Sequence, residues 1–356
     1  MKLQLSRVKT CPVPRNEHLP LSRANVNIYS MPPNKEADKL DQAARIAWLY
    51  YVAGKTQQQI AATLHISRQT AQRLLGVAVE RNLVNVTLSH RISSCAALEE
   101  ALRSHYKLQL CEVVPFDADD LDSLQAKIAI TGARVMEHFL SSEQPIIGAL
   151  GTGQTLKSVI SRLPVLRRPQ HRFVNLVGTF ARDGSSNLYD VALSMAEKTG
   201  SHYYLLPAPL LVSSVKERIS WCDHDLYKTV ARIAAKADVT FIGIGHIAPG
   251  CPLERDGYIS RHEVERLQQA GAIGETSGWA WDSSGTLIDL PAYNAKLTSI
   301  LPPHHSKNPV IAFAGGKYKW EAVRAALRGR WINGLVTDES CAFAIANSEG
   351  LAVRSA

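Results

Sequence analysis

Two groups of residues in this chain have the types and spacing to do chemistry on a partner. The first is Arg68, Gln69, Thr70, Gln72 and Arg73, in the run SRQTAQRLL. Arg pairs with the edge of guanine and Gln with that of adenine in a major groove, while a neighbouring Arg neutralises phosphate. The second group is spread along the chain. The loop of Gly151, Thr152, Gly153, Gln154 and Thr155 leaves an apolar run and opens a helix, so it offers backbone N–H groups and a helix dipole to an anion, or serves only as a tight turn. It carries neither the Gly-Lys-Ser/Thr of a nucleotide loop nor GxGxxG spacing. Companion glycine loops bring Asn187, after Gly178, to the start of one helix and Lys319, after Gly315-Gly316, to the start of another. A Lys at a helix start opposes the dipole, which an anionic partner would offset. Glu275, in GAIGETSGWAWD, is either an acceptor for sugar hydroxyls or a solvated turn carboxylate.

The elements that must hold the first group read clearly. Thr56 with Gln59 forms a capping box, Ile60, Ala61 and Leu64 make an apolar stripe, and the helix stops by His65. Ser67 caps a second helix with Ala71, Leu74, Leu75 and Ala78 facing inward, leaving the Arg and Gln residues on the other side, as in the recognition helix of a helix-turn-helix. A preceding helix, Lys39 to Val52, would bury Ala43, Ile46, Ala47, Leu49 and Tyr50 and end at Gly54; Leu83 to Leu88 alternates like a short wing strand. An ordinary helical hairpin with a solvated basic face is the alternative. Charge weighs against it. Residues 1–94 carry 13 Lys and Arg against 5 Asp and Glu, whereas residues 95–356 carry 27 of each. The basic excess, about half of it in the first 30 residues, therefore accompanies the bundle, as expected of a phosphate-contacting module.

The remainder alternates strands and helices. CEVVPF precedes a helix from Asp119 to Leu140, PIIGAL one from Thr155 to Leu163, RFVNLVG one from Asn187 to Thr199, DVTFIGIG one from His262 to Ala270 and PVIAFAG one from Trp320 to Leu327; NGLVTD leads to a last helix. This predicts a Rossmann-like α/β domain, a mostly parallel sheet with helices on both faces, whose ligands bind past the carboxyl ends of the strands. The boundaries expected are a mobile arm over 1–37, the DNA-binding bundle over 38–90, a connecting helix over 91–108 and the α/β domain over 109–356. The six cysteines form no CxxC pair, and apolar runs are too short for a membrane span, so a reduced, cytoplasmic protein without metal or cofactor is expected. Asp338 and Glu339 are either polyol or proton-transfer groups or a helix cap, and Trp279 and Trp281 read as packing residues.

The bundle RIAWLYYVAGKTQQQIAATLHISRQTAQRLL, the loop GTGQT, the stretches NLYDVALSMA, GIG and GAIGETSGWAWDSSG, and the tail IAFAGGKYKWEAVRAALRGRWINGLVTDES together resemble the SorC family of bacterial transcriptional regulators, from about residue 40 to the end. The resemblance implies an effector domain similar to the ribose-phosphate isomerase and glucosamine-phosphate deaminase fold, a phosphorylated sugar or polyol effector that alters affinity for double-stranded operator DNA, and a homo-oligomer, usually a tetramer. It further implies that Gln154 and Thr155 hold phosphate, that Asn187 and Glu275 meet hydroxyls, and that Lys319 touches phosphate or a sugar oxygen; Arg255 is a further candidate phosphate contact. The competing class is an isomerase or deaminase in which Glu275, Asp338 or Glu339 moves a proton, a reading that the basic bundle disfavours.

Overall fold

The computed structural model describes residues 35–81, 83–84, 92–115, 121–180 and 191–353. The chain divides into two compact units between Val86 and Thr87.

In the first unit α1 (Lys35–Ala47) runs into a π-helical turn over Trp48–Val52, followed by α2 (Gln57–Leu64) and α3 (Arg68–Glu80). Ala43, Ile46, Ala47, Ile60, Ala71, Leu74 and Ala78 are buried together, with Leu49 and Leu75 packed against them. Thr56 and Gln59 form the capping box of α2, whose last residue is followed by His65 in the left-handed conformation (φ 54°). Ser67 then accepts the Thr70 N–H at 3.0 Å to open α3. One expectation fails here. The helix ending at Val52 does not bury Tyr50, because its final turn widens: the Ala53 N–H reaches back five residues to the Trp48 carbonyl, one residue more than an α-turn holds. The added residue turns Trp48, Tyr50, Tyr51 and Val52 off the apolar stripe, and all four are exposed. Leu83 and Val84 follow α3 without strand structure, and the rest of the expected wing lies outside the described residues, as do residues 1–34 of the expected arm.

The second unit runs α4 (Ile92–Tyr106), β1 (Leu110–Val114), α5 (Leu121–Leu140), β2 (Ile147–Leu150), α6 (Gln154–Ser161), β3 (Arg172–Phe180), α7 (Val191–Thr199), β4 (His202–Pro209), α8 (Val215–Asp223), α9 (Asp225–Ala234) and β5 (Val239–Gly243). An insertion of β6 (Gly245–His246), α10 (Pro252–Arg255), α11 (Arg261–Gln269), β7 (Gly274–Thr276), β8 (Trp279–Trp281) and α12 (Pro291–Asn294) precedes β9 (Val310–Phe313), α13 (Trp320–Arg328), β10 (Gly334–Asp338) and α14 (Glu339–Ser348). Among the described residues seven strands form one parallel sheet in the order β1-β10-β9-β5-β2-β3-β4, and β6-β7-β8 form a small antiparallel one.

The period-two alternation of a strand builds the two cores. Val113, Ala149, Val174, Ile242, Ala312 and Leu335 point to one face, which α4, α9, α13 and α14 cover. Their neighbours Val114, Leu150, Phe173, Phe241, Phe313 and Val336 point to the other, under α5, α6 and α7. Helix α4, expected as a connector, buries Cys95, Leu98 and Leu102 in the first of these cores. The element β4 and the helices α8 and α9 are additions to the strands and helices expected from sequence. From β2 the chain winds outward through β3 and β4, then returns to lay β5 on the other side of β2. The carboxyl ends of β2 and β5 therefore flank the point where the strand order reverses, the ligand position of an open α/β sheet.

Candidate functional site

A cleft of about 340 Å³ occupies that position, a volume suited to a small metabolite. Its walls come from the loops after β2, β5 and β9, from α5 and from the insertion. Four residues of the first loop, Thr152, Gly153, Gln154 and Thr155, line it. Gly151 does not: its N–H donates to the Phe241 carbonyl at 2.8 Å and belongs to the sheet, so the anion-facing loop begins one residue later than expected. Gly153, at φ 120°, turns the chain into α6 with no side chain capping the helix, which leaves the first-turn N–H groups for another acceptor.

Gly243 to His246, after β5, form the opposite lip. The Gly243 carbonyl accepts from the Thr276 hydroxyl at 2.9 Å, joining the small sheet to the large one. Gly245 pairs with Glu275 across β6 and β7, and a methyl group on it would come within 2.0 Å of Glu275 Oε1. Only glycine leaves room for that carboxylate. Glu275 is 8% exposed, and its Oε2 accepts the Gly278 N–H at 3.0 Å. Burial pushes its carboxyl up to about 7, against the opposing influence of the Gly278 N–H and the Lys319 charge.

Lys319 takes the cap position of α13, where its own N–H donates to Gly316 at 3.0 Å. Burial lowers its ammonium pKa, and the Glu275 charge works in the opposite direction. Beneath this loop Asp338 is fully buried and acts as a cap: Oδ1 accepts the N–H groups of Ser340 (3.0 Å) and Cys341 (3.1 Å), while Oδ2 accepts that of Gly316 (2.5 Å). The next residue, Glu339, points away to the Ser94 hydroxyl of α4 at 2.5 Å. Neither faces the cleft.

The structure thus brings Thr152, Gly153, Gln154, Thr155, Glu275 and Lys319 to one place, with Arg255 beside them; Asn187 lies outside the described residues. His246, Ser277 and Tyr258 also line the cleft, and nothing in their local sequence marks them for it. Trp281 is buried, donates to the Ala322 carbonyl and stacks on Trp331, a packing residue as expected. Among the described residues no group of three or more His, Cys, Asp or Glu could hold a metal, and no helix is long and apolar enough to cross a membrane.

In the first unit Arg68, Gln69, Gln72 and Arg73 are exposed on α3. Thr70 is half-buried and shares a 2.8 Å hydrogen bond with the Ser67 hydroxyl, so its side chain works at the cap.

A family model for a sugar-binding domain, Sugar-bind, matches residues 90–347. EryD, the erythritol catabolism regulatory protein of Brucella abortus, is 31% identical over 303 residues, covering 85% of this chain and 95% of its own length. The transcriptional regulator LsrR of Escherichia coli K12 is 30% identical over 312 residues, 86% of this chain and 95% of that one. This chain belongs to the SorC family. Among solved structures, the full-length sorbitol operon regulator SorC of Klebsiella pneumoniae superposes with a TM-score of 0.63 at 25% identity, covering 86% of this chain and 99% of that one. The chain is accordingly a sugar-responsive transcriptional regulator and not an enzyme.

Proposed function

We propose that this SorC-family regulator binds a phosphorylated sugar or polyol in the cleft of its second unit, and that occupancy changes the affinity of α3 for operator DNA. The observation that carries the reading is the meeting of an uncapped helix start at Gly153 and a cation at Lys319 with the buried carboxylate of Glu275. The first two suit phosphate, and the third suits hydroxyl groups. On this reading Gln154, Thr155 and Lys319 hold the phosphate with help from Arg255, while Glu275 and Asn187 meet hydroxyls. The names of two relatives, an erythritol catabolism regulator (EryD) and a sorbitol operon regulator (SorC), favour polyols as the carbon skeleton. Kinship with the ribose-phosphate isomerase and glucosamine-phosphate deaminase fold belongs to the same reading.

The sequence of cap, helix, left-handed His65, cap and helix supports a helix-turn-helix in which Arg68, Gln69, Gln72 and Arg73 reach bases and phosphates. A homo-oligomer, a tetramer on this reading, presents paired copies of α3 to half-sites one or more helical turns apart. The domain limits that accompany it are the arm over 1–37, the bundle over 38–90 and the effector part thereafter, with α4 its first helix.

The test is a thermal-shift screen of phosphorylated pentoses, hexoses and polyols, followed by gel shift on promoter fragments of its own locus. A compound that both raises the melting temperature and changes operator affinity is expected. Binding of such compounds with no site-preferring attachment to DNA would overturn the regulatory half of the reading, and attachment indifferent to every compound would overturn the effector half.

A further inference from the structure

We propose that His246 and Ser277 are specificity-determining residues that read the hydroxyl groups of the effector's carbon chain. This rests on the cleft being the effector site. His246 lies on β6 and Ser277 in the turn that joins β7 to β8, and both line the cleft beside Glu275.

Ser277 is out of keeping with its place in the fold. It and Gly278 are the two residues joining β7 to β8, at φ 53° and 85°. Two positive values in a two-residue hairpin are the sign pattern of a type I′ turn, which favours Asn, Asp or Gly at its first central position. A serine gives up backbone comfort there. Its side chain gains nothing in return from the protein: Ser277 is only 5% exposed, yet its hydroxyl has no hydrogen-bond partner among the described residues. The main chain around it is well tied, since its own carbonyl accepts from the Ser299 hydroxyl at 2.6 Å and the Gly278 carbonyl from Tyr293 at 2.9 Å. A residue that local preference disfavours, that the surroundings hold rigidly and whose polar group is left over is the expected form of a binding determinant.

His246 supplies an independent second case. Its Nδ1 is buried without a partner among the described residues, on a two-residue strand that pairs with Gly274 and Glu275. Burial and the Lys319 charge both disfavour its protonated form and lower its pKa. A neutral imidazole nitrogen donates or accepts according to the tautomer, and a hydroxyl can answer it in either case, whereas an anion answers only the donor. A serine hydroxyl has the same dual capacity. The leftover groups on this wall therefore ask for a partner that both donates and accepts, as vicinal hydroxyls do. The helix start at Gly153 and Lys319 ask only for an acceptor.

The experiment uses the full chain and a probe set of the terminal monophosphates of erythritol, sorbitol, ribose and fructose, with inorganic phosphate as the chain-free control, read by calorimetry and thermal shift. His246→Ala and Ser277→Gly are expected to weaken the best-bound probe about tenfold each, the worth of one well-placed hydrogen bond. Inorganic phosphate is expected to bind the wild type and both variants alike. Without any probe, Ser277→Gly is expected to melt higher than the wild type, because glycine relieves the turn. Unchanged probe affinity in both variants overturns the inference and leaves the proposed function standing. Loss of inorganic phosphate along with the sugar phosphate, or a lower melting temperature for Ser277→Gly, also overturns it, since either makes the pair structural. A wild type that binds no member of the set overturns both readings.

Discussion

The Glu275 carboxyl is subject to burial, to the Gly278 N–H and to the Lys319 charge, whose effects can be separated. Burial raises its pKa from 4.5 to about 7, so the folded protein binds a proton there that the unfolded chain has already released. Stability from this group is complete below pH 4.5 and is lost as pH rises through about 7, a decline on the order of 3 kcal/mol for a shift of this size. Because Asp223, Asp282 and Glu349 have lowered pKa values and act in the opposite sense, the contribution is read as a difference. The stability of wild type relative to Glu275→Gln, measured by urea unfolding, is expected to fall between pH 4.5 and 7; a flat difference across that window contradicts the assignment. Gly245 gives a second prediction. A methyl group there meets Glu275 Oε1, so Gly245→Ala is expected to displace the carboxylate and reduce effector affinity at least tenfold, while a double change with Glu275→Ala, which removes the clash, costs little beyond Glu275→Ala alone. Titration of the four proteins against one sugar phosphate decides it.

Helix caps carry the geometry of the first unit. Ser67 satisfies the Thr70 N–H and Thr56 that of Gln59, so Ser67→Ala is expected to cost about 1 kcal/mol of that unit's stability and to lower operator affinity through the fraying of α3, an effect that gel shift at two temperatures detects. These caps were legible in the sequence because they are local: the residue and its target are three positions apart. The same holds for the apolar runs of β1, β2, β3, β5, β9 and β10. The strand β4 was not legible. It lies at the sheet edge, its first residues His202 and Tyr203 are exposed, and its apolar centre ends in two prolines. Helix α8, which follows, buries no residue and so shows no stripe. The glycine loops and Lys319 announced the cleft because loop composition is a local property as well. His246 and Ser277 had no such signal, since their leftover atoms exist only once the small sheet has folded against β5. The dipeptide Ser-Gly inside a hairpin was the available hint, a serine where Asn or Gly would be usual.

Charge divides the molecule as sharply as topology does. The basic excess lies in residues 1–94 and the rest is balanced, so attachment to DNA is expected to weaken steeply with salt while effector affinity, set inside a partly closed cleft, changes far less. Arg73→Ala is expected to reduce the slope of log K against log salt by about 1 if it holds one phosphate, whereas Arg68→Ala or Gln72→Ala is expected to erase the preference for the operator over random DNA, with effector binding intact. Filter binding across a salt series distinguishes the two outcomes. Finally, Asp338 does two jobs with its two oxygens, one starting the last helix and the other pinning the floor loop that carries Lys319. Architecture and ligand reception share a single side chain there. A genetic selection for regulators that have become blind to their effector but still accumulate in the cell is therefore expected to return changes at Lys319 or Gln154 and pass over position 338, where every loss of reception is also a loss of protein.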